Sequence, residues 1–514
     1  MGHGIRRHCR GLAALAVLAC FTAAPTSADD APGAISAEAA QRLERQAHAW
    51  LASMLGPHVT IGERPLHITA ESDHYRIELP FAAALSDATG ATIEADPISA
   101  ELKPLDGGRW RIDDFRWPSP LHASFALSER GEASGTEKLT VTIADQEQHG
   151  VLDPSLATPS VWDARIKGYA SQITGMKDDG SRKATIDEAV AHLRWEPTSS
   201  GRVSVRETSE AHLITTNAVA ANVGLRAMSI ERMQGQMQAE DVAPAQVAQL
   251  LRAMMVLVPI GLTAEKQALA GGGAANDRPS KLNDKERAAA RDTLMALAGL
   301  LGGFEEHWTA ENLHIVGNSF SWRVAKLMAG FGAGTPDGRS AVHFDVALDG
   351  LESPDVPPGV LRDNLPHHVA IALSIGGIRS SDLHALLLRA ADSKGSDPKL
   401  KDAVLGLLAK EPLVVGLDNV ELDFGPAQVR GKGEVRLSNL DHYQGEAHIA
   451  ARGLDKLIKE VNGVPELAQA MPALFMLKGI GKQDGDKTVW NVAFHDRELL
   501  VNGNDMSSMV PRDN

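Results

Sequence analysis

The residues that could do chemistry are scattered, and their spacings argue against most of the chemistry they suggest. Gly317-Asn318-Ser319-Phe320-Ser321 comes nearest to a nucleophile elbow. It lacks the final glycine that the tight strand-to-helix turn requires. Gly330, Gly332, Gly334 and Gly338 form a glycine-rich run, but no Lys-Ser/Thr follows and no helix opens there. It is therefore no phosphate loop and reads as a hairpin connection before Ala341. His367 and His368 are adjacent, so on a strand they point to opposite faces and cannot share an ion. His343 and Asp345 would share a face, whereas His442 and His448 could meet only through folding. The acidic pairs Asp113-Asp114, Asp178-Asp179 and Asp484/Asp486 read as turn residues, which Asp favours for backbone reasons. No catalytic, cofactor or metal site is assigned, and the chain reads as non-enzymatic. An exported hydrolase assembled from distant Asp, His and Ser residues is the alternative.

The positive signal is apolar. Residues 244–262 and 454–478 both read as helices with apolar side chains around most of the circumference. Such a helix must be covered on all sides. Met254, Met255 and Val258 of the first, with Leu467, Met471, Leu474 and Phe475 of the second, are the candidate lining of an apolar groove between helix and sheet. Plain core is the competing reading. Gly463 and Pro465 are expected to kink the second helix.

What must position these helices is a run of alternating segments. Leu66–Ala70, Tyr75–Leu79, Pro97–Lys103, Arg109–Phe115, Leu139–Ile143, Val161–Tyr169, Ala184–Trp195, Val203–Ile214 and Leu225–Met233 alternate apolar and polar residues, as half-buried strands do. Asp106-Gly107-Gly108 and Ser199-Ser200-Gly201 are the turns between two of these pairs. Leu313–Trp322, Ala341–Leu348, His368–Ile375, Leu413–Asp423, Ala427–Leu437 and Glu446–Ala451 continue the pattern. Ser36–Leu55 reads as an amphipathic helix with Ala40, Leu43, Ala47, Trp50, Leu51 and Leu55 on one stripe. Lys285–Leu301, Ser381–Ala391 and Pro398–Lys410 are further helices. The expected fold is α+β: a long, curved, mostly antiparallel β-sheet meander with helices packed on its concave face.

Composition sets the compartment and the partners. The chain has 514 residues, 43% of them apolar and 23% charged, as ordinary globular proteins have. Arg6, Arg7 and Arg10, the short apolar run Gly11–Phe21 and Thr26-Ser27-Ala28 together have the form of a secretory signal over residues 1–28. A periplasmic protein is expected, with a lipoprotein attached through Cys20 as the lesser alternative. Cys9 and Cys20 both fall in this segment, so the remainder would carry no disulfide, thiolate ligand or cysteine nucleophile. The net charge of −15 becomes more acidic without the three arginines. That excess makes nucleic acid and anionic lipid surfaces poor default partners. No later run reaches membrane-spanning length without charges. Two β-rich halves are expected, residues 29–270 and 284–514, joined by a loop at 271–283 rich in Gly, Pro, Asp, Asn and Ser.

The C-terminal stretch carries a recognisable series. Gly453-Leu454-Asp455, Pro465-Glu466-Leu467, Met471-Pro472, Leu477-Lys478-Gly479-Ile480-Gly481, Trp490 and Leu500-Val501-Asn502-Gly503 stand in this order. The series resembles an uncharacterised proteobacterial envelope family, domain of unknown function 2125, over roughly the last hundred residues. The resemblance implies an exported, β-rich protein and assigns no catalytic residue. The expected role is an envelope protein that holds a lipid or other apolar ligand, or a partner's segment. A structural or assembly factor with an envelope protein partner is the alternative.

Overall fold

The computed structural model describes residues 35–55, 66–82, 86, 91–129, 132–153, 156, 159–175, 181–220, 224–244, 247, 288, 291–293, 295, 303–356, 358–392, 398–439, 442–462, 464, 471–496 and 498–507. The chain is α+β, with a long and mostly antiparallel sheet and a few helices. It divides into two compact units, Met1–Val219 with Gln236–Gly302, and Ala220–Gly235 with Gly303–Asn514.

In the first unit, helix α1 (Ala37–Leu55) opens the described chain. The Ser36 hydroxyl caps it by accepting the Ala39 N–H at 3.2 Å. Strands follow: β1 (His67–Ala70), β2 (Tyr75–Leu79), β3 (Thr92–Ala95), β4 (Ile98–Pro104), β5 (Trp110–Arg116) and β6 (Leu121–Glu129). Then come β7 (Glu132–Thr142), β8 (Asp145–Leu152), β9 (Pro159–Thr174), β10 (Arg182–Pro197) and β11 (Val203–Ala220). The strand β12 (Leu225–Val242) contributes residues to both units. Ala40 of α1 is buried with Ile68, Ile77, Ile98, Ile112, Phe115 and Trp162, while Leu43 and Ala47 pack on the same cluster. Phe115 and Trp162 meet edge to face, 5.2 Å between centroids. The apolar side of this unit's sheet is thus closed by a helix, and Glu44 fastens the two by accepting the Ile68 N–H at 3.1 Å.

The second unit is a meander in which almost every strand pairs with the next. It comprises β13 (Gly303–Gly317), β14 (Ser321–Gly334), β15 (Arg339–Glu352), helix α2 (Val360–Asp363) and β16 (Pro366–Arg379). Helices α3 (Ser380–Asp392) and α4 (Pro398–Lys410) precede β17 (Leu413–Phe424), β18 (Ala427–Leu437) and β19 (Tyr443–Arg452). Helices α5 (Leu454–Val461) and α6 (Met471–Ile480) lead to β20 (Lys482–Asp484), β21 (Lys487–His495), β22 (Glu498–Val501) and β23 (Asn504–Asp505). Pairing runs antiparallel from β13 to β19, then through β21 and β22 to β23.

Several expectations are corrected. The strand expected over Leu313–Trp322 contains a hairpin turn, where the Gly317 N–H donates to the Phe320 carbonyl oxygen at 2.7 Å. The glycines 330, 332 and 334 lie inside β14, and the turn is confined to Pro336–Gly338. Side chains of the next strand use that space: a Cβ at Gly332 would collide with His343, and one at Gly330 with Asp345. Asp113 and Asp114 lie within β5 and pair with Arg111 and Arg116 at 2.9 and 2.7 Å. The helix expected over 454–478 is described as α5 and α6, and residues 465–470 between them lie outside the described residues. So do the loop 271–283 and most of the helices expected at 244–262 and 285–301.

Candidate functional site

The two faces of the second unit's sheet differ in kind. Register places Trp308, Ala329, Val346, Ile371, Val420, Gly431, Ile449 and Trp490 side by side across eight strands. The next row is Glu306, Phe331, Phe344, Leu373, Leu417, Gly433, Ala447, Val492 and Val501. A third row runs Phe304, Ala333, Val342, Ile375, Val415, Val435, Gly445, Phe494 and Leu499. Glu306 is the single polar residue in the three rows, and its carboxylate accepts the Trp308 indole N–H at 2.7 Å. Side chains two residues apart on a strand share a face, so these rows form one apolar surface. Phe304, Phe331 and Phe344 make tilted ring contacts along it, with centroids 5.8 and 5.0 Å apart.

Helices close one end of this surface. Ala427, Leu457, Ile458 and Met471 are buried together, with Leu454 and Leu474 packed on them. Ala451, Trp490 and Val501 form a second cluster against Leu454 and Ile480. Away from them the surface is open: Trp308, Phe344, Val346, Ile371, Leu373 and Ile375 keep between 37% and 49% of their surface exposed. Six large apolar side chains aligned across β13, β15 and β16 exceed the scattered apolar exposure normal for a protein surface.

The opposite face is a ladder of charges. His368 Nδ1 lies 2.5 Å from the Asp349 carboxylate, and Arg430 bonds Glu421 at 3.0 Å and Asp423 at 2.5 Å. The Arg430 hydrogen bond holds the Asp423 carboxyl below its usual range, against the opposing effect of partial burial. In the first unit, Asp163 bonds His192 at 2.6 Å and Arg194 at 2.7 Å. Partial burial alone would raise the Asp163 pKa, but the His192 and Arg194 hydrogen bonds outweigh it and the net shift is downward. His314 Nε2 and the Ser321 hydroxyl lie 2.9 Å apart, with no carboxylate bonded to that histidine among the described residues. His367 is exposed at the start of β16, where the register with β17 shifts. No group of three His, Cys, Asp or Glu side chains among the described residues could hold a metal ion.

Of the seven residues expected to line a groove, Met254, Met255, Val258 and Leu467 lie outside the described residues. Met471 is buried, Leu474 packs beside it, and Phe475 is 54% exposed. The open apolar surface lies on the strands instead. Alternation marks which side of a strand is apolar, but carries no signal for whether that side is covered. No described helix is long and apolar enough to cross a membrane. Comparison of the chain with protein-family models, curated proteins and solved structures finds no match.

Proposed function

We propose that the protein is an exported, non-enzymatic envelope protein that holds an acyl-chain ligand against the apolar face of its C-terminal sheet. The observation that carries this reading is the alignment of Phe344, Val346, Ile371, Leu373 and Ile375, all about two-fifths to one-half exposed on one face. An acyl chain laid across them would remove water from both surfaces. At about 0.8 kcal/mol per buried methylene, a dozen methylenes half to fully covered contribute on the order of 5–10 kcal/mol. Before the cost of association is subtracted, that spans dissociation constants from about 0.2 mM to about 50 nM. The signal-like residues 1–28 and the C-terminal resemblance to an envelope family support the compartment.

The experiment is titration of purified protein with a fluorescent fatty acid, alongside mass spectrometry of co-purifying lipids. Ile371→Asp and Leu373→Asp are expected to abolish probe binding while the melting midpoint stays close to that of the parent. Unchanged binding in both variants, or none in the parent, overturns the reading.

A further inference from the structure

We infer that the apolar face of the C-terminal sheet takes a lipid with two acyl chains lying side by side, rather than a single chain. The inference rests on the acyl-chain reading above and names the class of ligand within it.

The open side chains fall in three rows set two residues apart along the strands, about 7 Å from row to row. Trp308, Val346 and Ile371 stand in the first row, Phe344 and Leu373 in the second, and Ile375 in the third. Three rows bound two parallel grooves that run across the strands. A chain in one groove contacts carbons within about 4 Å and so touches only the rows beside it. The first groove has five of the six open side chains on its walls, and a chain there leaves Ile375 in water. A second chain, between Leu373 and Ile375, covers the remainder.

The size of the patch argues against a protein occupant. Leu348 and Val369 beside the first row, and Leu417 and Val420 on β17, are only half-buried to solvent rather than open. The open patch therefore spans β13 to β16 and three rows, about 14 Å in each direction. That is on the order of 200 Å², against about 800 Å² that each partner gives to a stable protein interface. A second copy of the chain would need a surface several times larger.

The two ends of the grooves differ. Helices α5 and α6 pack over β18, β19 and β21, against Ala427, Ala451 and Trp490. The chain ends point toward these helices, and the link between the two chains leaves at the β13 end. Glu306, the single polar residue of the three rows, stands at that end with the Trp308 indole. The link matters because the second groove has one open side chain on its outer wall and holds a free chain weakly. A chain tethered to one already bound arrives there at an effective concentration of about millimolar.

Displacement of the fluorescent fatty acid from the full chain tests the inference. The competitors are dioctanoyl-phosphatidylcholine and palmitoyl-lysophosphatidylcholine, which carries as many acyl carbons on one chain. In the parent, the two-chain lipid should displace the probe at about tenfold lower concentration. Ile375→Asp should remove that preference and leave fatty-acid binding unchanged, whereas Leu373→Asp, on the wall shared by both grooves, should abolish binding of all three. If Ile375→Asp lowers the melting midpoint, Ile375→Ser replaces it. Equal displacement by the two lipids in the parent overturns the inference while the acyl-chain reading stands. So does an Ile375 variant that keeps the preference, or one that loses the fatty acid as well. A parent that binds no fatty acid overturns both. A parent dimer in sedimentation that Ile375→Asp dissociates gives the face to a second copy, and overturns the inference too.

Discussion

The Trp490 indole N–H donates to the main-chain carbonyl oxygen of Leu477 at 2.8 Å, joining β21 to the last turn of α6. That carbonyl also accepts the Gly481 N–H at 3.2 Å, so the indole is its second donor. Trp490→Phe keeps most of the buried ring and removes the donor, so it should cost about 1 kcal/mol. Trp490→Ala also opens a cavity and should cost about 3–5 kcal/mol. Urea unfolding measures both, and amide exchange should quicken in the last turn of α6.

Asn502 does more with one side chain. Its amide donates to the carbonyl oxygens of Ile480 and Val489, both at 3.0 Å, while its own carbonyl oxygen accepts the Asn491 N–H at 2.9 Å. Its φ is 50°, a left-handed turn conformation. Asn502→Gly keeps the turn and loses the bonds, at a cost of about 1–3 kcal/mol. Asn502→Asp should cost more at neutral pH, since a carboxylate then faces two carbonyl oxygens. It should recover partly below about pH 4, where the side chain regains a donor. Thermal melts at the two pH values decide the point.

Gly453 precedes α5 with φ 67°, and a Cβ there would strike the carbonyl oxygen of Pro426. Gly453→Ala should therefore cost more than the roughly 1–2 kcal/mol of a left-handed alanine alone. Gly485, at φ 60° with nothing within 4 Å of the position a Cβ would take, is the matched control. Its alanine variant should lose about 1–2 kcal/mol. Similar losses in the two variants would contradict the packing argument.

Glu411, between α4 and β17, is buried and accepts the Arg379 N–H at 2.7 Å while pairing with the Arg379 guanidinium. The backbone bond first, and then the side-chain bond, hold its pKa below the ordinary 4.5. A carboxyl depressed by folding contributes stability that is fully present above its unfolded pKa and is lost as pH falls through its folded pKa. Glu411→Gln should flatten the stability curve below about pH 4.5 and lower stability at neutral pH. A variant whose acid limb matches the parent's would refute the assignment.

Regular strands are readable in the sequence, and the turns between them less so. Tyr75–Leu79 and Ala427–Leu437 have the same bounds in sequence and structure, since their alternation is uninterrupted. Strand β8, Asp145–Leu152, carries too many polar residues to stand out. Gln148 is buried, and the Gln146 side chain bonds both the N–H and the carbonyl of Trp117, at 2.9 and 2.7 Å. Buried amides that satisfy a neighbouring backbone look like loop residues in a linear pattern. The series around Gly453, Gly481, Trp490 and Asn502 is visible as a motif. Its physical content, a bracket seating α6 on the sheet, depends on the positions of Pro426, Leu477 and Ile480, which no linear pattern carries.

From β13 to β19, each strand of the second unit pairs with its successor in the chain. Contacts close in sequence cost little loop-closure entropy, so such a sheet can assemble by adding one strand at a time to a growing edge. The same wiring makes the extent of the sheet an evolvable quantity. A hairpin gained or lost within the meander would lengthen or shorten every apolar row by two strands and leave the pairing of the others intact.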